Sequence, residues 1–202
     1  MSKAVLISIR PKWVEKIASG EKTIEVRKTK PKLETPFKCY IYCTRDKHLA
    51  FMQNQTGTNL IACMEVDAAI PVGGAIGNGR VVGEFTCDRI YKIDKDSTDF
   101  LFKAGGLSVY KKAAEEKCGL CVAMTDDELH GYLGHYQGYG WHISDLRIYD
   151  TPKELSEFKT LCRVDADCCG CPYYNYTKMD CDGRVIGRPP QSWCYVDDVQ
   201  AK

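Results

Sequence analysis

The stretch from Gly20 to Arg27, Gly-Glu-Lys-Thr-Ile-Glu-Val-Arg, constrains the fold of this chain more than any other. A short helix with Pro11 at its first position and Trp13, Val14 and Ile17 on its inner face is expected to stop at Gly20. A strand begins at once. Side chains alternate across a strand, so Ile24 and Val26 share one face and Thr23, Glu25 and Arg27 share the other, with Lys22 at the strand mouth. A lysine, a carboxylate and a guanidinium thus meet at one edge of a small sheet. Two cations attract an anion such as a phosphate, while the carboxylate accepts a hydrogen bond. The plain alternative is a solvated strand face with incidental charges.

The rest of the chain yields a coarse map. Residues 3–10, Lys38 to Thr44 and Val81 to Cys87 read as strands. Residues 45–78 lack a period and read as an irregular insertion with a glycine-rich tail near 73–79. That tail is not a phosphate loop, because it lacks Gly-Lys-Ser/Thr and a following helix. Ser108 to Lys117 looks helical. Thr125-Asp126-Asp127-Glu128 matches a capping box and opens a helix carrying Leu129, Tyr132 and Leu133. Pro152 is expected to start a short helix through Phe158. The 202 residues make one domain with insertions, about 45–78, about 97–138 (helical) and about 160–186 (cysteine-rich).

Charge limits the partners. The net charge of +1 argues against bulk, non-specific nucleic-acid binding. The distribution is uneven, with 11 Lys/Arg against 4 Glu in residues 1–45. A basic N-terminal part on a near-neutral chain suits a local anionic ligand. No run of about 18 apolar residues is present, so no membrane span is expected. The first residues lack the apolar core and cleavage site of a secretory signal, so a cytoplasmic protein is expected.

Without a secretory signal, the 12 cysteines point to metal before disulfides. Cys162, Cys168, Cys171 and Cys181 give Cys-x5-Cys-x2-Cys-x9-Cys, with Cys169 as an alternative to Cys162. Four thiolates suit tetrahedral zinc, so a structural zinc knuckle is expected; an iron–sulfur cluster or a set of free thiols are the alternatives. Cys118 and Cys121 form a second, weaker Cys-x-x-Cys pair. Cys39, Cys43, Cys63 and Cys87 lie in apolar runs and read as small buried hydrophobes.

Gly20-x-Lys22-x-x-Glu25-x-Arg27, after the Pro11–Ser19 helix, resembles the signature of ASCH domains in the PUA-like superfamily. The opening strand, the Val81–Cys87 strand, the segments Trp141–Ile143 and Leu146–Tyr149, and Pro190–Val196 fit the same pattern. The resemblance implies an α+β fold built on a PUA-like small β-barrel with flanking helices. It also implies a cleft beside the barrel that takes RNA or a modified nucleotide. The residues placed at such a cleft are Arg10, Lys12, Trp13, Lys22, Glu25, Arg27, Trp141 and His142. Aromatic faces would stack on a base, and cations would hold phosphate or a polar base edge.

An enzyme is the second reading. One bacterial branch of the family is similar to amidohydrolases of N4-acetylcytidine that use a lysine, a threonine and a glutamate, and another has been described as ribonuclease. Lys22 stands at the lysine position, but Glu25 stands where the threonine would be, which removes the expected hydroxyl nucleophile. The catalytic candidates are then Lys22, as base or charge stabiliser, with Glu25 or Glu84 activating water. A protein-interaction adaptor built on the cysteine-rich knuckle is the third reading.

Overall fold

The computed structural model describes residues 3–54, 62–67, 73–93, 122–134, 137–160, 174–175, 180–181 and 184–198. The chain opens with β1 (Lys3–Ile9), α1 (Pro11–Ala18), β2 (Ile24–Arg27), β3 (Phe37–Cys43), β4 (Leu49–Asn54), β5 (Ala62–Glu65) and β6 (Gly74–Ile76). It continues with β7 (Val81–Cys87), β8 (Ile90–Ile93), α2 (Asp126–Leu133), β9 (Gly138–His142), β10 (Ser144–Lys153) and a 3-10 turn at Leu155–Glu157. It closes with β11 (Lys159–Thr160), β12 (Tyr174–Asn175), β13 (Asp180–Cys181), β14 (Arg184–Val185) and β15 (Trp193–Asp197). The fold is α+β and mostly β.

A seven-stranded sheet, ordered β10-β7-β3-β1-β15-β11-β14, forms the centre. The strand β1 runs parallel to β3 and antiparallel to β15. Both of its faces are covered, which explains its nearly continuous apolar sequence. Val5, Ile7 and Ile9 join one core cluster with Cys39, Ile41, Phe85 and Trp141. Ala4 and Leu6 join a second cluster with Tyr40, Tyr42, Tyr149 and Phe158 on the opposite face.

The closed barrel expected from the sequence does not form among the described strands. The two neighbours of β1 are β3 and β15, so β2 is excluded from the central sheet and starts a second one, β2-β9-β8. A third cluster packs Ile24 and Val26 of β2 against Val122, Leu129 and Leu133 of the α2 region. The segments Trp141–Ile143 and Leu146–Tyr149 belong to different sheets: β9 pairs with β2, whereas β10 edges the central sheet beside β7.

Two further expectations need correction. Residues 45–78 are not wholly irregular, because β4, β5 and β6 form a three-stranded sheet within them. Phe51 of β4 is fully buried in the main core. Gly77 sits so close to it that a Cβ there would lie 2.7 Å from the Phe51 ring and 2.6 Å from Val82, so this glycine of the tail is a packing requirement. The helix expected from Pro152 to Phe158 is a single 3-10 turn, since Pro152 still belongs to β10, where Lys153 pairs with Val81. The helix at Thr125 is present with both halves of its capping box. The expected helix at 108–117 lies outside the described residues, as do Cys118, Cys121, Cys162, Cys168, Cys169 and Cys171, and the side chain of Cys181.

Cys39, Cys43 and Cys87 are buried free thiols, while Cys63 is only half-buried. Burial pushes the Cys87 thiol up to about 12 and the half-buried Cys194 up to about 11, and it raises Cys39 well above the ordinary thiol value. The sign follows from proton linkage. Unfolded thiols ionise near pH 8.5 while these stay protonated in the fold, so their contribution is complete below about pH 8.5 and falls as pH rises towards 12. Thermal unfolding under reducing conditions is expected to show a midpoint that declines steadily from about pH 8.5 upward. A flat profile from pH 8 to 10.5 would contradict this account of the core.

Candidate functional site

The entry to β2 is set by the end of α1. Gly20 takes the left-handed conformation, with φ of +80°, and lets the chain reverse direction. The amide of Gly20 then donates to the Ile17 carbonyl, and the amide of Lys22 donates to the Lys16 carbonyl at 2.8 Å. These bonds satisfy helix carbonyls that would otherwise lack partners and hold Lys22 against the helix. Beyond it, β2 pairs with β9 in the register Glu25↔Trp141 and Arg27↔Tyr139.

The charged residues of this segment are not a solvated face. Lys22 is 2% exposed, and Glu25 and Arg27 are each 6% exposed. The Glu25 carboxylate bridges the two cations: Oε1 lies 2.9 Å from Arg27 Nη2, and Oε2 lies 3.6 Å from Lys22 Nζ. Lys22 Nζ also donates to the Val122 carbonyl at 2.6 Å. Arg27 Nη2 donates to the Ser8 carbonyl at 2.6 Å, and Nη1 reaches Ser192 Oγ at 3.5 Å. Arg27 Nε is buried without a hydrogen-bond partner among the described residues. One buried carboxylate thus ties together α1, β1, β2, the residues before α2 and the turn before β15.

This triad forms part of the wall of a cavity of about 810 Å³. Arg10, Lys12 and Trp13 from the start of α1 also line it, with Thr44, Asp46, Met124, Glu128, Tyr132 and Ser192. Lys12 Nζ and Lys22 Nζ lie 4.6 and 5.4 Å from the centroid of the Trp13 ring. Burial raises the Tyr132 phenol above its ordinary value, with the Arg27 charge opposing and the Glu25 charge assisting. Lys12 and Glu128 form an exposed ion pair at 2.6 Å between the two helices. Of the eight binding residues expected from the sequence, six therefore meet at one cavity.

The other candidates lie elsewhere. Trp141 is fully buried in the main core, edge-on to Phe37 at 5.9 Å, so its faces are not open to a base. His142 belongs to a separate surface pair, with Nδ1 2.6 Å from Asp88 Oδ1. Glu84 is on the far side of the central sheet, where it accepts a hydrogen bond from the Tyr149 hydroxyl at 2.6 Å. It does not meet Lys22. The family resemblance suggests it for the cleft; the pairing with Tyr40 and the bond from Tyr149 show which sheet face it occupies. Among the described residues no group of three or more His, Cys, Asp or Glu is arranged to hold a metal ion. The cysteines of the expected zinc knuckle are outside that comparison.

Sequence reasoning missed Tyr132, Glu128 and Asp46 as cavity residues. The capping box did locate the helix that carries the first two. What was missing was the packing of Leu129 and Leu133 against Ile24 and Val26, which brings that helix over β2.

Removing the shared anion leaves two buried cations facing each other, a loss of about 3–5 kcal/mol. Glu25→Gln keeps the shape and is expected to lower the thermal midpoint by on the order of 10 °C. A fall of less than about 2 °C would show that the triad does not hold this region together.

No family model matches the chain, and no curated protein matches it. It is similar to the crystal structure of ASCH from Zymomonas mobilis, at 16% identity and a TM-score of 0.43, over 95% of this chain and 86% of that one. It is also similar to a serine-to-alanine mutant of that protein, at 16% identity and a TM-score of 0.48, over 95% of this chain and 87% of that one. A tyrosine-to-phenylalanine mutant is similar at 17% identity and a TM-score of 0.44, over 76% and 77% of the two chains.

Proposed function

We propose that this chain binds single-stranded RNA or a modified nucleotide in the cavity beside β2. The observation that carries this reading is the composition of one concave wall. Arg10, Lys12 and the Lys22–Glu25–Arg27 triad lie beside the aromatic rings of Trp13 and Tyr132 in a space large enough for a nucleotide. A base needs a flat apolar face, and its phosphate needs cations, so the two requirements meet in a single cleft. The buried triad acts here as a rigid backing. The exposed Arg10 and Lys12 and the part-buried Trp13 make the contacts.

Binding of fluorescent single-stranded RNA, followed by anisotropy across a salt series, tests the reading. Trp13→Ala is expected to weaken binding about tenfold by removing one stacking face. Arg10→Ala is expected to flatten the dependence of log affinity on log salt by about 0.7, the value of one phosphate contact to a single strand. Full-strength binding by both variants would place the ligand elsewhere.

A hydrolase remains the second reading, and the ion pair between Lys22 and Glu25 gives it a specific form. A lysine that donates to a carbonyl and faces a carboxylate would, as an ammonium, stabilise developing negative charge. Release of acetate from N4-acetylcytidine, or cleavage of RNA, that disappears in the near-isosteric Lys22→Met would replace the binding reading with this one.

A structural zinc ion held by Cys162, Cys168, Cys171 and Cys181 is proposed on the spacing of those cysteines. About one zinc per chain by elemental analysis, lost in Cys171→Ser, is the expected outcome. Metal-free protein with an unchanged thermal midpoint would dismiss the site.

A further inference from the structure

Among the described residues, three carboxylates line the cavity: Glu25, Asp46 and Glu128. Two of them are fully engaged by the protein. Both oxygens of Glu25 face cations, Oε1 at Arg27 and Oε2 at Lys22. Glu128 Oε1 takes the Lys12 ammonium, and its Oε2 accepts from the Thr125 amide at 3.0 Å. The hydrogen-bond acceptor role that the sequence suggests for Glu25 is therefore taken up within the protein.

Asp46 differs. It sits in the loop between β3 and β4, and its Oδ1 accepts from the amides of His48 at 2.9 Å and Leu49 at 3.1 Å. This turn holds the side chain in one orientation. The two amide bonds dominate in holding its carboxyl below the usual range, with His48 and Arg10 helping, so it is ionised at neutral pH. No bond to Oδ2 is present among the described residues. A carboxylate fixed through one oxygen, solvent-accessible on the wall of a cationic cleft, offers a single strong acceptor that the fold itself does not use.

We propose that Asp46 is the specificity-determining residue of the cleft, and that its Oδ2 accepts a hydrogen bond from the exocyclic amine of an amino-bearing base. This rests on the nucleotide-binding reading above and names the class of base. Cytosine and adenine present an amine at the relevant edge, whereas uracil presents a carbonyl oxygen there, which a carboxylate repels. Arg10, Lys12 and Trp13 supply affinity that does not depend on the base; Asp46 supplies the choice.

Asp46→Asn gives a direct test, because asparagine can retain its oxygen on the His48 and Leu49 amides while placing an NH2 donor where Oδ2 was. Affinities for oligo-rC, oligo-rA and oligo-rU of equal length are compared in the wild type and the variant, at one salt concentration. The wild type is expected to favour rC and rA over rU by about tenfold. In Asp46→Asn that ratio should fall to about one or reverse towards rU, while affinity for rU is kept or increased. Loss of a negative charge strengthens all three alike, so the ratio, and not the affinity, is the readout. A thermal midpoint within about 2 °C of the wild type confirms that the loop is intact. Discrimination between free CMP and UMP that is lost in Asp46→Asn would identify the nucleotide as sufficient ligand; discrimination among oligonucleotides only, lost in the same variant, would identify the strand; both support the role of Asp46. An unchanged rC to rU ratio in Asp46→Asn overturns it while leaving the binding reading in place. Wild-type protein that binds none of the three removes the reading and this inference together.

Discussion

The Glu25 carboxylate, held between Lys22 and Arg27, is the contact on which the rest of the site depends. Three charges out of water are tolerated only when each has a partner of opposite sign or a polar group of the backbone. Here the carboxylate neutralises one unit of charge, and the carbonyls of Ser8 and Val122 accept from the two cations. The consequence is geometric. To bury this triad, the end of β1, the turn after α1, the residues before α2 and the turn before β15 must all converge on β2.

That convergence produces the cavity. The helices α1 and α2 both line it, and their residues Lys12 and Glu128 meet at 2.6 Å. An ion pair between partly exposed side chains contributes little to stability and separates readily. The buried triad, by contrast, resists change. The cleft therefore has a stiff floor and an adjustable rim, a division that suits recognition of a flexible single strand.

Much of this was legible in the sequence. The glycine stop at Gly20, the strand alternation of Ile24 and Val26, and the capping box at Thr125 are local features, each decided by residues within one turn or one strand. They placed α1, β2 and α2 correctly, and they put Lys22, Glu25 and Arg27 together. Alternation could not tell whether that charged face is wet or buried, nor which way Glu84 points, because both depend on the partner strand. Trp141 looked like a stacking surface for the same reason: a tryptophan beside a histidine reads alike in a cleft or in a core. Asp46 carried no signal at all, since an aspartate in a loop is ordinary until its two amide partners and the neighbouring cavity are seen.

The amino-acid sequence alone thus determined the local elements and the identity of the charged cluster, because helix stops, caps and strand periodicity act over a few residues. The tertiary structure decided that the cluster is buried, that β2 leaves the central sheet, that α2 lines the cleft, and that Glu25 is occupied while Asp46 keeps an open oxygen. These outcomes turn on desolvation and on pairing between segments as distant in the chain as Lys3 and Asp197. Such interactions are set by where the chain returns, which short-range pattern does not encode.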